Sequence, residues 1–173
     1  MYLKIVKILP LILLAGCSAH PAFMNKYPKI EYEENAAIRF TGAGQVDIYY
    51  SQIDQCKREG YIGEINGVYL GNNRKDMNLP LGENIAKRSK TEIPIRANEN
   101  ITINLSHVSS GYSSTLYCDV YFSLTPQKGV IYESRFIMRE NSCTSKLFRI
   151  QPQDGGGFFR VHEEAAKAVY CDK

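Results

Sequence analysis

The chain has 173 residues, a formal charge of +3, twelve tyrosines and no tryptophan. Near neutrality without a basic cluster excludes the electrostatic attraction on which nucleic-acid binding rests. The length suits one domain, and a composition rich in tyrosine and β-branched residues leans toward sheet.

The first seventeen residues read MYLKIVKILPLILLAGC. Lys4 and Lys7 precede an apolar run from Ile8 to Ala15. That run is too short to span a bilayer, which takes about 20 apolar residues. A basic start, a short apolar middle and small residues at a boundary read as a secretory signal. Leu14-Ala15-Gly16-Cys17 resembles the lipobox of bacterial lipoprotein precursors. The resemblance implies that residues 1–16 are a signal peptide and that Cys17 is the first residue of the mature chain. Its thiol then carries a diacylglycerol and its amino group an acyl chain such as palmitate. Ser18, where aspartate would favour inner-membrane retention, implies an outer-membrane anchor facing the periplasm or the cell surface. Each buried acyl methylene contributes about 0.8 kcal/mol, so two or three chains anchor firmly. The mature chain would have about 157 residues and a charge near +1.

Residues 17–35 show no clean period and carry Pro21 and Pro28, which predicts a tether from lipid to domain. The eighteen residues from Ser18 to Asn35, fully extended, reach at most about 55 Å. Residues 36–173 then form the single domain. Ile38 and Phe40 alternate with polar neighbours, as do Val46, Ile48 and Tyr50, and the turn-rich residues 41–45 between them predict a hairpin. Ile93, Ile95 and Ala97 face Ile101, Ile103 and Leu105 across Asn98-Glu99-Asn100, a second predicted hairpin. Pro94 lacks an N–H, so its strand lies at a sheet edge or carries the missing N–H toward solvent. Tyr117 to Leu124 and Val130 to Met138 read as antiparallel partners about the Pro126–Gly129 turn. Asn141-Ser142 turns the chain into Lys146 to Ile150. Gly155-Gly156-Gly157 precedes a last strand at Phe158, Phe159 and Val161, and Glu163 to Tyr170 reads as a short helix. Many short strands split by turn residues predict an all-β, antiparallel β-sandwich, immunoglobulin-like or related, with one short C-terminal helix.

The stretch FSLTPQKGVIYESRF also resembles a pattern in small β-rich lipoproteins of Gram-negative bacteria, carried by Phe122, Pro126, Gly129, Tyr132, Glu133 and Cys143. The resemblance implies a β-rich domain and brings no catalytic residue with it.

With Cys17 given to lipid, Cys56, Cys118, Cys143 and Cys171 allow two disulfides. No CxxC pair recommends zinc. A flat meander would set Cys118 opposite Phe136 and Cys143 opposite Met138, about 9 to 10 Å apart at normal strand spacing. That exceeds disulfide reach. If the third strand, Lys146 to Ile150, crosses to the facing sheet, its cysteine swings back to Cys118; this favours Cys118–Cys143 and leaves Cys56–Cys171.

Candidate chemistry is sparse. His162-Glu163-Glu164 are adjacent and do not share a face, and the two glutamates suit the first turn of the expected helix. His20 lies in the tether, and His107 heads a hydroxyl-rich stretch without a GxSxG or SxxK motif. Gly42-Ala43-Gly44 and the triple glycine read as turns, since no GK[ST] follows either. Asn100-Ile101-Thr102 and Asn104-Leu105-Ser106 match the glycosylation sequon but read as strand sequence in a bacterial lipoprotein. Two polar loops remain as binding candidates, residues 71–84 around Arg74, Lys75 and Asp76, and residues 107–114 with His107. No catalytic set, metal site or cofactor is expected. The reading is a lipid-anchored, non-catalytic binding or accessory module. Its partners are the membrane through its lipid and an envelope protein or glycan, with no nucleic acid. The rivals are a periplasmic hydrolase acting on an envelope polymer and an inhibitor or immunity-type protein.

Overall fold

The structure is a computed structural model that describes residues 35–52, 57–67, 76–82, 84–110, 115–139, 142–164 and 167–169. The leader, the lipobox with Cys17, the tether to residue 34, and Arg74, Lys75, Cys56 and Cys171 lie outside the described residues.

Among the described residues, ten strands make two five-stranded sheets: β1 (Ala36–Gly42), β2 (Val46–Gln52), β3 (Lys57–Ile65), β4 (Lys90–Ile95), β5 (Ile101–Ser110), β6 (Thr115–Leu124), β7 (Ile131–Arg139), β8 (Ser142–Pro152), β9 (Phe158–His162) and β10 (Lys167–Val169). The first sheet has the order β4-β1-β7-β8-β9 and the second β10-β6-β5-β2-β3. All pairs are antiparallel except β1 with β7. The described residues are therefore all-β, as expected.

Strand alternation turns one stripe of each sheet toward a shared core. Ile38, Phe40, Ile93, Ile95, Tyr132, Phe136 and Leu147 of the first sheet cluster with Val46, Ile48, Ile65, Ile103, Leu105, Phe122 and Leu124 of the second. Each fully buried Ile, Leu or Phe contributes about 1.5–3 kcal/mol relative to exposure. Cys118 on β6 and Cys143 on β8 form a disulfide between the sheets, with Cα atoms 6.1 Å apart. Cys143 stands opposite Met138, as the sequence predicts. Pro94 lies on β4, an edge strand, also as predicted.

Three expected pairings are corrected. β1 and β2 belong to different sheets, as do β4 and β5, and β6 and β7. Each connection is an arch that carries the chain over the core, so the apolar stripes meet across the core instead of lying side by side. Cys118 consequently faces His107 on β5 and not Phe136. The crossing that permits the disulfide is also corrected: it falls at the Pro126–Gly129 turn and not at the third strand, which stays paired with β7 as β8. Cross-links hold the arches. The Asn66 side chain donates to the carbonyls of Gly42 and Gly44 at 2.9 and 3.0 Å, and the Asn98 N–H donates to Pro126 O at 2.7 Å. Gly44 adopts φ +79°, a region that favours glycine.

The expected helix over Glu163 to Tyr170 is also corrected, since Lys167–Val169 is a strand paired with β6. A helix of eight residues is marginal in water, whereas a free sheet edge satisfies the same backbone groups at once. Among the described residues the only helical element is a 3-10 turn, Lys87–Ser89.

Candidate functional site

The outer faces of the two sheets hold most of the polar chemistry. On the first sheet, register sets Arg39 of β1 between Glu92 of β4 and Glu133 of β7. All three side chains are fully buried. Arg39 Nε donates to Glu92 at 2.8 Å and Nη1 to Glu133 at 2.9 Å, while Nη2 donates to the carbonyls of Leu79 and Pro80. Glu133 also accepts from Arg135 at 2.6 Å and from Arg160 at 2.8 and 3.0 Å. The other Glu92 oxygen accepts from the N–H groups of Met77 and Leu79. Residues 76–82 thus form a strap whose backbone is gripped by buried charges. Met77, Leu79 and Leu81 of the strap pack on Ala37, Ile131 and Ile150. Gly82 is required there, because a Cβ would come within 2.6 Å of Arg39 Nη2. Burial alone would raise the Glu133 pKa, but hydrogen bonds from Arg160, Arg135 and Arg39 outweigh it and hold the carboxyl below its ordinary range. The three central side chains of this face are closed to a ligand.

The second sheet is arranged differently. Its outward stripe places small polar residues on the central strand, Thr102, Asn104 and Ser106 of β5, all buried. Asp47 and Tyr49 of β2 flank them on one side, and Asp119 and Tyr121 of β6 on the other. Arg58 of β3 reaches across this floor. Its Nε donates to Asn104 Oδ1 at 3.0 Å, and its Nη2 donates to Ser106 Oγ and Asp119 Oδ1, both at 2.7 Å. The guanidinium lies 4.7 Å from the centre of the Tyr49 ring, and Tyr61 meets Tyr49 edge-on at 5.4 Å. Asn104 is wholly buried, yet its Nδ2 has no hydrogen-bond partner among the described residues. Since Oδ1 accepts from Arg58, the amide orientation is fixed and the orphan atom is the donor. At the end of the same stripe Val108 and Tyr117 stand opposite each other, 51% and 63% exposed. Burial raises the pKa of Asp47, with Arg58 and then His107 opposing it. Tyr49 and Tyr121 are raised too, mainly by burial and next by Asp47 and Asp119 respectively.

Of the residues singled out in the sequence, His107 is not in a loop. It lies on β5 and points inward, buried, near Phe136, and its Nδ1 donates to Gln45 O at 2.6 Å. Alternation explains the correction, since His107 falls on the apolar stripe of Ile103 and Leu105. Asp76 pairs with Lys90 at 3.0 Å and anchors one end of the strap. His162 closes β9 against Phe148, and Glu163 is buried on Arg149, so the acidic pair does not converge on a common centre. A shallow hollow of about 570 Å³ at the β8–β9 turn is lined by Pro152, Gln153, Asp154 and Phe159.

The sequence reading missed Arg58, Asn104 and Asp119. The available signal was the second stripe of strands read for their apolar one: Thr102, Asn104, Ser106 and Tyr117, Asp119, Tyr121 recur at period two. Comparison with protein-family models, curated proteins and solved structures returned no match for this chain.

Proposed function

We propose that this chain is a lipid-anchored envelope lipoprotein whose domain is a non-catalytic binding module. The anchor is Cys17, the signal peptide 1–16, the tether 17–35 and the domain 36–173, with the outer membrane as location. The reading rests on Leu14-Ala15-Gly16-Cys17 following a basic, apolar leader. The finer fold in this reading is a β-sandwich, immunoglobulin-like or related, and the disulfide between the sheets supports it.

The working surface is the outer face of the second sheet. One observation carries this choice: a fully buried Asn104 whose amide donor lacks a partner among the described residues, in a polar floor beside exposed Tyr117 and Val108. A buried donor without an acceptor costs about 1–3 kcal/mol, a penalty that a ligand acceptor would relieve. Exposed aromatic residues next to convergent polar groups suit recognition.

Two experiments test the reading. Cys17→Ala should abolish palmitate labelling and leave the chain out of the membrane fraction in mature form, and equal labelling of both chains would refute the anchor. A photo-crosslinking residue at position 117 should give adducts in intact cells, while the same residue at exposed position 139 on the first sheet should not. Adducts at both positions or at neither would refute the surface.

A further inference from the structure

We propose that the outer face of the second sheet binds the uncharged sugar rings of a glycan chain. This deepens the binding-module reading and depends on it.

A sugar ring presents C–H bonds on its flat sides and hydroxyls around its rim. A site for it must offer an exposed ring face together with both donors and acceptors, at little net charge. The second sheet supplies each of these. Tyr117 is the most exposed aromatic residue of the described chain and stands beside Val108 on the outward stripe. One step along β6 and β5 lie Asp119 and Ser106, and one step further Tyr121 and Asn104. From Tyr117 to Tyr121 is four residues, about 13 Å along a strand. An extended chain of rings, stacked first on Tyr117, can therefore meet donor and acceptor groups in succession. Asp47 and Asp119 carry acceptors, Arg58 carries donors, and the Asn104 amide supplies the donor that lacks a partner among the described residues.

Charge selects among ligand classes. Arg58 is matched by Asp119 at 2.7 Å, and Asp47 adds a second carboxylate nearby. The face thus has no surplus of positive charge to draw a phosphate, a sulfate or a nucleic acid. The hydroxyl, amide and carboxylate groups of the floor make it a poor seat for an acyl chain. A peptide pairing as an added strand needs a free edge, and β5 at the centre of this face is paired on both sides. Neutral polyhydroxyl chemistry fits what remains. Reaching Asn104 requires the Arg58 side chain to shift, and that side chain is 41% exposed.

The test uses the full mature chain in a detergent without sugar headgroups, titrated while backbone amide resonances are followed. Chitohexaose stands for an amino-sugar polymer such as an envelope backbone, maltohexaose for a plain hexose chain, and dextran sulfate for an anionic glycan. The expected result is saturable shifts at Tyr117, Asp119 and Asn104 with chitohexaose or maltohexaose at up to millimolar concentration. The one that binds tighter identifies the source. Tyr117→Ala should weaken binding about tenfold. Asn104→Ala should weaken it too, and Tyr117→Ala keeps the test decisive if the buried Asn104→Ala change impairs folding. No saturable shift with either neutral oligosaccharide, or tighter binding of dextran sulfate than of both, would overturn the inference. If the position-117 crosslinks persist in that case, the binding module stands and only its sugar specificity falls. If they are lost as well, both fall.

Discussion

The two outer faces are built from the same alternation and the same residue types, but they treat charge in opposite ways. On the first sheet, Arg39, Glu92 and Glu133 are fully buried, roofed by the strap and saturated by ten hydrogen bonds among them, the strap and neighbouring cations. On the second sheet a single arginine, itself 41% exposed, spans three strands above a floor that still holds an orphan donor. A saturated polar network locks a fold, whereas an unsaturated one keeps capacity for something outside the chain. Chemistry-bearing residues are therefore not in themselves evidence of a site; the state of their partners decides.

The largest test of this contrast is Arg39→Met. It leaves two buried carboxylates facing each other and should lower unfolding free energy by about 3–5 kcal/mol, read by urea denaturation. A loss below 1 kcal/mol would mean that the network is not the lock of the first sheet. Removing the disulfide by Cys118→Ser with Cys143→Ser comes next. The bridge spans 25 residues, and the chain-entropy model gives about 3.5 kcal/mol for such a loop. Because it joins the sheets and belongs to neither outer face, its loss should leave the ranking of face variants unchanged. Arg58→Ala should cost less than about 1 kcal/mol, as partly exposed ion pairs do, while it impairs recognition. A stability loss matching that of Arg39→Met would make the second face structural as well.

The smallest effect distinguishes the faces by the sign of their pH dependence. The folded-state pKa of Glu133 lies below its ordinary value, so its contribution is complete above the usual carboxylate range and is lost as pH falls through the depressed pKa. Asp47 has a raised folded-state pKa, so its charge opposes folding at neutral pH and the penalty is relieved as pH falls through that value. Asp47→Asn should therefore raise stability at pH 7 slightly, by no more than about 0.5 kcal/mol, with no gain in acid. Glu133→Gln should lower it at pH 7 and flatten the acid limb. Thermal midpoints measured across the acid range check both signs.

Strand positions were legible because a period of two is local. The edge placement of Pro94 and the Met138–Cys143 register follow from a missing N–H and from the turn-forming Asn141-Ser142 in the sequence. The arches were not legible, because the glycine and asparagine residues that turn a hairpin also turn an arch. Only the facing of two apolar stripes across a core separates the two outcomes. β3 escaped notice since it carries two glycines and two register shifts against β2, which break its alternation. The candidate face depends on Arg58 meeting Asp119, 61 residues away, and no local pattern encodes a contact of that span.

The arches also set the order in which the molecule can assemble. β1, the second strand of its sheet, has no hairpin partner. The contacts that seat it join Arg39 to residues 53 and 94 positions further along. Closing such long loops before any contact compensates makes folding slow, in the range of milliseconds to seconds for topologies of this kind. Until β7 is available, β1 can pair only with β4. The first sheet therefore closes only after β7 has been made, whereas β2 with β3 and β5 with β6 can pair as soon as each second strand is complete.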